Sequence, residues 1–400
     1  MKDVELMMRH AILSRCLSLC FSLPLALGAL FTSADTVVAA EEGPAERSSL
    51  LEEAVNFTGS IMFYEFQVPA LIFGVVRDGE RVVAGYGEHR PGTGAPPDGD
   101  TVMRIGSITK TFTAATLAGL AADGTVALTD RLEDVLDWDV SVPSREGHPI
   151  RLWHLATHTS GLPREITVPP GPADDPFVNF TLEAMARDLE QDPLLFPPGT
   201  GAFYSNFGFG LLAASLAAAA DQPYEQVLTD RVLAQMGLEA TGFTPAEGRA
   251  VMQGHDFSGV PMEDAPTHEG IQGTGGLYSS ANDMLRWLSW HLDRFSDEDA
   301  AMRQIDHAAY VHRDALDSVY GMDESGRMDA MALGWVVMHG RDGRPTILQK
   351  AGGRQGMFAY TAFAPAHGIG AFVAINQFKV SASEAMAEAV NNLIADLAVR

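Results

Sequence analysis

Ser107 and Lys110 stand three residues apart in Met103–Thr113, where an irregular segment runs into a helix. At about 3.6 residues per turn that spacing stacks the two side chains on one face. A hydroxyl beside an amine offers a nucleophile and an acceptor for its proton. Two further groups could join them. Tyr204 and Asn206, just after the Phe196–Gly201 breaker, supply a phenol and an amide. Lys350, Ala351, Gly352 and Gly353 supply an amine at the end of an apolar run, followed by bare backbone that a ligand can approach. Taken singly, each has an ordinary alternative. Asn206 could be a helix N-cap, and Lys350 a surface lysine on a hairpin.

Lysine usage favours the chemical reading. Lysine occurs only at positions 2, 110, 350 and 379, and beyond residue 40 three lysines stand against twenty-one arginines. Arginine keeps its proton at any working pH, whereas a desolvated lysine can lose it. Lysines retained in this background point to amine chemistry.

The 400 residues are 46% hydrophobic and 20% charged, enough for a large core, and the net charge is −25. Scattered acidic residues argue against nucleic-acid binding and against docking on anionic lipid. Residues 1–40 read as a secretory signal. Lys2, Arg9 and Arg15 make a basic start, Ala11–Phe31 is mostly apolar, and Val38-Ala39-Ala40 is a small-residue cleavage site. The short, interrupted apolar core argues against a permanent anchor; peripheral membrane association and oligomeric state stay open. Cys16 and Cys20 both fall in the signal, and Leu19 is the wrong residue for a lipoprotein box. A mature chain from 41 would therefore have no disulfide, no thiol nucleophile and no thiolate metal site.

The elements that must position these groups follow from pattern. Ala70–Val76 and Arg81–Gly87 are apolar runs joined by a hairpin at Asp78-Gly79. Strand-like runs return at 332–339, 345–350, 357–364 and 369–375, and a closing helix, capped near Ser381–Ser383, is expected from Ser381 to Val399. Between them lie a helix from Ser107 to about Ala122, a short one in 128–136 capped by Thr129, and one over Ile150–Leu162. A Pro-rich rim spans Arg164–Phe180. Helices then follow over 181–191, 206–220, 223–236 and 281–294, the last entered through a Gly-rich segment, and 295–330 resists assignment. The fold expected is α/β (α+β). One antiparallel sheet is built from both chain ends (about 41–110 and 331–400), and a mostly helical subdomain (about 111–330) is inserted, with a cleft at the junction.

The order Ser-x-x-Lys, Tyr-x-Asn, Lys-x-Gly, with gaps of 97 and 146 residues, resembles the serine β-lactamase and penicillin-binding protein family. Tyr-x-Asn points to its class C branch. Leu155–Pro163, Pro198-Gly199 and Gly275–Ser280 also look like that branch, and Tyr204–Gly208 and Thr109–Thr113 are most similar to its AmpH-type D-alanyl-D-alanine carboxypeptidase/endopeptidases. The resemblance implies that Ser107 is acylated, that Lys110 or Tyr204 takes its proton, and that Asn206 orients substrate and Lys110. It implies that Lys350 holds a substrate carboxylate or lowers the Tyr204 pKa, and that the N–H groups of Ser107 and Gly353 form the oxyanion hole, with Gly352 and Ala351 lining the substrate site. Ala351 departs from the Thr or Ser usual there, so one carboxylate-binding hydroxyl is missing.

The function this implies is an exported, periplasmic serine hydrolase working through an acyl-enzyme. Its expected substrates are peptidoglycan stem peptides, with β-lactams as acylating ligands and no cofactor or metal. A class C β-lactamase or a carboxylesterase is the alternative of the same chemistry; a penicillin-binding receptor without turnover is the alternative of another class. His154 and His158 have zinc-helix spacing but no Glu after His154 and no third ligand, and read as structural or capping. No Gly-x-Ser-x-Gly, Walker or dinucleotide motif occurs. Trp287, Leu288 and Trp290 read as core.

Overall fold

The computed structural model describes residues 44–172 and 174–399; the signal read at 1–40 and its two cysteines lie outside the described residues. The run Ala70–Arg77 shows why the sheet forms. Its side chains alternate between two cores, a period of two that only a strand covered on both faces can bury. Leu71, Phe73 and Val75 pack with the helices Pro44–Phe66 and Val380–Ala398. Ile72 and Val76 face a second core with Phe112, Leu285 and Leu288. Each such buried side chain is worth about 1.5–3 kcal/mol. Asp78 and Gly79 both take positive φ, the backbone that a two-residue hairpin between right-twisted strands requires.

Eight antiparallel strands form the sheet, in the order Glu80–Gly87, Ala70–Arg77, Ile369–Ile375, Met357–Ala364, Ile347–Arg354, Val336–Met338, Ala330–Met331 and Val311–His312. Both chain ends supply it, as expected. The strand carrying Lys350 does not stop there: it continues to Arg354, with Gly352 opposite Ala359 and Gly353 opposite Phe358. The glycines of the motif are thus held in a ladder.

Several expected elements differ. The helix expected over Ile150–Leu162 is only Leu152–Ala156, because His158 takes φ 59 and turns the chain away. The helix in 128–136 is one turn, Leu132–Val135. Thr129 does not cap it, since Arg131 occupies the cap position with no side-chain bond. Nor do serines cap the closing helix: Lys379 holds that position, and the Ser383 hydroxyl donates back to Val380 O. The Gly-rich segment before Ala281 contains the helix Glu269–Gly275 and the strand Tyr278–Ser280. Within 295–330 lie the helix Ala300–His307 and short strands, of which Val311–His312 joins the large sheet beside Ala330–Met331. Trp287 and Leu288 are fully buried and Trp290 stacks on Trp287, so the core reading of that helix stands.

Candidate active site

Ser107 lies in a 3₁₀ turn, Gly106–Ile108, that feeds the helix Thr109–Ala122. The turn is clamped from two sides. Ile105 N donates to Leu277 O, and Leu277 N donates to Thr109 Oγ1. Backbone also meets backbone without side chains between. A Cβ on Gly352 would sit 2.0 Å from Ile105 O and 2.9 Å from Ser107 N, and one on Gly106 would sit 2.5 Å from Gly353 N. Gly106 further needs its positive φ of 52. This contact brings the N–H-bearing backbones of Ser107 and Gly353 together.

Lys110 is fully buried one turn further on. Its Nζ is 3.3 Å from Ser107 Oγ, 2.7 Å from Asn206 Oδ1 and 2.6 Å from Thr274 O. Burial first, and then the charge of Lys350, hold the amine well below the ordinary lysine range; Glu165 opposes this and Arg164 adds to it. Asn206 is not the helix N-cap. Ser205 fills that role for Asn206–Ala220, accepting from Gly208 N, which leaves the Asn206 amide free for Lys110 and Glu165. Its Nδ2 donates 2.5 Å to Glu165 Oε1.

Tyr204 follows the strand Gly201–Phe203, buried and lining one cavity with Ser107. Lys110 Nζ and Lys350 Nζ each lie 5.0 Å from its ring centroid. His158 stacks on the phenol at 4.4 Å and accepts from Ser205 N through Nδ1. It is structural, as read, but its structural task is at the site, and burial keeps it neutral. His154 accepts from Arg151 N and caps its helix. Burial pushes the Tyr204 phenol above its ordinary range, outweighing the opposing influence of Ser107 and Arg164. That net direction is opposite to the one in which Lys350 was expected to act. Lys350 is itself pulled down to about 8, by burial, with Glu324 opposing and Arg164 assisting.

Two cavities open on Ser107. One, of about 360 Å³, is lined by Tyr204, His158, Lys350, Ala351, Arg164 and Glu324. The other, of about 250 Å³, is lined by Asn206, Glu165, Phe177, Phe180, Gly353 and Arg354. From the Pro-rich segment, Arg164, Glu165, Phe177 and Phe180 therefore rim the two cavities. The structure thus brings together Ser107, Lys110, Tyr204, Asn206, Lys350, Gly352 and Gly353, with Ala351 at the cavity edge. Sequence reading missed Glu165, Thr274 and Arg354. Only Arg354 carried a signal, as the arginine directly after Gly352-Gly353. Among the described residues one group has metal-ligand chemistry, His291, Asp306 and His307. Its two rings already bond each other at 2.7 Å, and it lines neither cavity on Ser107.

The chain is similar to known proteins over most of its length. The beta-lactamase family model matches residues 50–395. The D-alanyl-D-alanine-carboxypeptidase/endopeptidase AmpH of Escherichia coli K12 is 35% identical over 359 residues, covering 88% of this chain and 91% of that protein. A beta-lactamase of Lysobacter lactamgenus is 26% identical, covering 84% and 89%. The crystal structure of a beta-lactamase/D-alanine carboxypeptidase from Yersinia pestis, complexed with citrate, superposes with a TM-score of 0.78. It shares 35% identity and covers 88% of this chain and 99% of that one.

Proposed function

This chain belongs to the β-lactamase family of serine hydrolases, and from that premise we propose that it is an exported D,D-carboxypeptidase/endopeptidase that acts on peptidoglycan stem peptides and is acylated by β-lactams. One observation carries the mechanism. The two hydrogens of a neutral Lys110 amine are used by Asn206 Oδ1 and Thr274 O, so its lone pair is left for the Ser107 hydroxyl at 3.3 Å. Burial favours the neutral form of that amine, and at Tyr204 it favours the protonated phenol. Lys110 is therefore the base and Tyr204 the acid.

Ser107 Oγ attacks the substrate carbonyl as its proton passes to Lys110. The N–H groups of Ser107 and Gly353 receive the oxyanion. The C–N bond breaks, the leaving amine takes its proton through the Tyr204 hydroxyl, and the acyl group stays on Ser107 until water hydrolyses the ester. Lys350, in the same cavity as Tyr204, pairs with the carboxylate of the departing D-alanine; Ala351 contributes no hydroxyl to it. The name of the AmpH relative supports this substrate class. The export reading rests on residues 1–40; among the described residues no helix is long and apolar enough to cross a membrane.

The test is a panel on the mature protein. Benzylpenicillin should add its mass to the Ser107 peptide, and an acyl-D-Ala-D-Ala peptide should release D-alanine, both abolished in Ser107→Ala. Labelling without any turnover would make the protein a receptor. Fast cephalosporin hydrolysis without D-alanine release would make it a β-lactamase.

A further inference from the structure

We propose that the cavity on the Asn206 side of Ser107 is a subsite for acyl donors that carry a carboxylate, and that Arg354 reads this carboxylate. The inference rests on the hydrolase reading above, which sends the leaving group into the opposite cavity.

The strand Ile347–Arg354 sets the geometry. Its period of two puts Lys350, Gly352 and Arg354 on one face, and Gly352 abuts the Ser107 turn. Lys350 and Arg354 therefore flank the nucleophile, one lining each cavity. The proton donor Tyr204 lines the Lys350 cavity, so the leaving amine goes there. The acyl chain then extends past Asn206 into the cavity of Phe177, Phe180 and Arg354.

Arg354 is an incomplete binding group. It is only 6% exposed, yet among the described residues it forms no ion pair. It donates to Pro266 O at 3.2 Å, its Nε has no partner, and its guanidinium lies over the Phe177 ring at 4.5 Å. The carboxylates that act on it through space are committed elsewhere: Asp264 to Arg104 at 3.0 Å and Asp175 to His268 at 2.8 Å. Arg104 adds like-charge repulsion, and burial, the largest influence, pulls Arg354 down to about 9. Glu165, the carboxylate of the same cavity, is engaged by Asn206. A buried charge without a partner is costly, and a ligand anion removes that cost. A planar guanidinium held by an aromatic face suits a carboxylate better than a point charge would.

The test uses N-acyl-D-Ala-D-Ala donors in matched pairs. The acyl chain is glutaryl or adipoyl, ending in a carboxylate, or the same chain ending in a carboxamide. Wild-type kcat/KM for D-alanine release should favour the carboxylate by about tenfold, the discrimination expected of one charge-assisted hydrogen bond. Arg354→Gln should bring the ratio to about one, whatever happens to the absolute rates, and Arg354→Lys should keep part of it. A wild-type ratio near one at both chain lengths overturns the proposal without any variant, as does an unchanged ratio in Arg354→Gln. If no donor releases D-alanine and benzylpenicillin does not label Ser107, the hydrolase reading itself has failed.

Discussion

Glu165 accepts a 2.5 Å hydrogen bond from the Asn206 amide nitrogen, and that bond decides which end of the amide faces Lys110. A carboxylate can only accept, so Nδ2 must point at Glu165 and Oδ1 at the lysine. Were the amide reversed, its N–H would compete with Ser107 for the lone pair that the base needs.

Glu165→Gln should therefore have two effects. Glutamine accepts or donates, so the amide loses its fixed sense and kcat/KM should fall by about tenfold to a hundredfold, the scale of a weakened general base. Glu165 also raises the Lys110 pKa by its charge. Removing that charge lowers the pKa, so the acid limb of the kcat/KM profile should move to lower pH. A profile with unchanged height and midpoint would remove Glu165 from the site.

The division of labour between Lys110 and Tyr204 can be separated by leaving group. A peptide amine must be protonated to depart, whereas p-nitrophenolate leaves unaided. Tyr204→Phe should cost peptide hydrolysis about 10²–10⁴-fold, the usual worth of a general acid, and should cost acylation by a p-nitrophenyl ester far less. Lys110→Met should suppress both. Equal losses on both substrates in Tyr204→Phe would return the base role to the tyrosine.

Lys350 gives the profile its alkaline side. With its folded pKa lowered to about 8, the ammonium is present below that pH and lost above it. For substrates with a terminal carboxylate, kcat/KM should decline as pH rises through about 8, because the free enzyme's ionisations govern that parameter. An ester without the carboxylate should show no such limb. Lys350→Met should remove it from the peptide profile as well, at a lower plateau.

What could be read in the sequence follows the range of each contact. Ser107 and Lys110 are one helical turn apart, so their proximity is local. The sheet strands were visible because Ala70–Val76 and Arg81–Gly87 are apolar runs of strand length joined by Asp78-Gly79; Val311–His312 is too short to form such a run. Asn206 was ambiguous until Ser205 proved to be the cap one residue earlier. His158 and the break after Ala156 stayed hidden because a left-handed residue at 158 has no glycine to announce it. Glu165 and Thr274 were hidden for another reason. Glu165 meets Asn206 across 41 residues and Thr274 meets Lys110 across 164, and no pattern marks such meetings.

Gly352→Ala tests the contact on which the whole site depends. A methyl group there would lie 2.0 Å from Ile105 O and 2.9 Å from Ser107 N, both backbone atoms with no rotamer to escape into. The strand and the Ser107 turn must then separate. Overpacking of this kind costs about 1–3 kcal/mol, so thermal unfolding should shift downward by several degrees while the fold survives. Catalysis should suffer more than stability. The Ser107 and Gly353 N–H groups bind an oxyanion only while the two backbones touch, and loss of one such donor costs about 10²–10³ in kcat. Penicillin labelling of Gly352→Ala should slow accordingly, in protein that remains folded by circular dichroism. Acylation at the wild-type rate would mean that this backbone contact does not build the oxyanion hole.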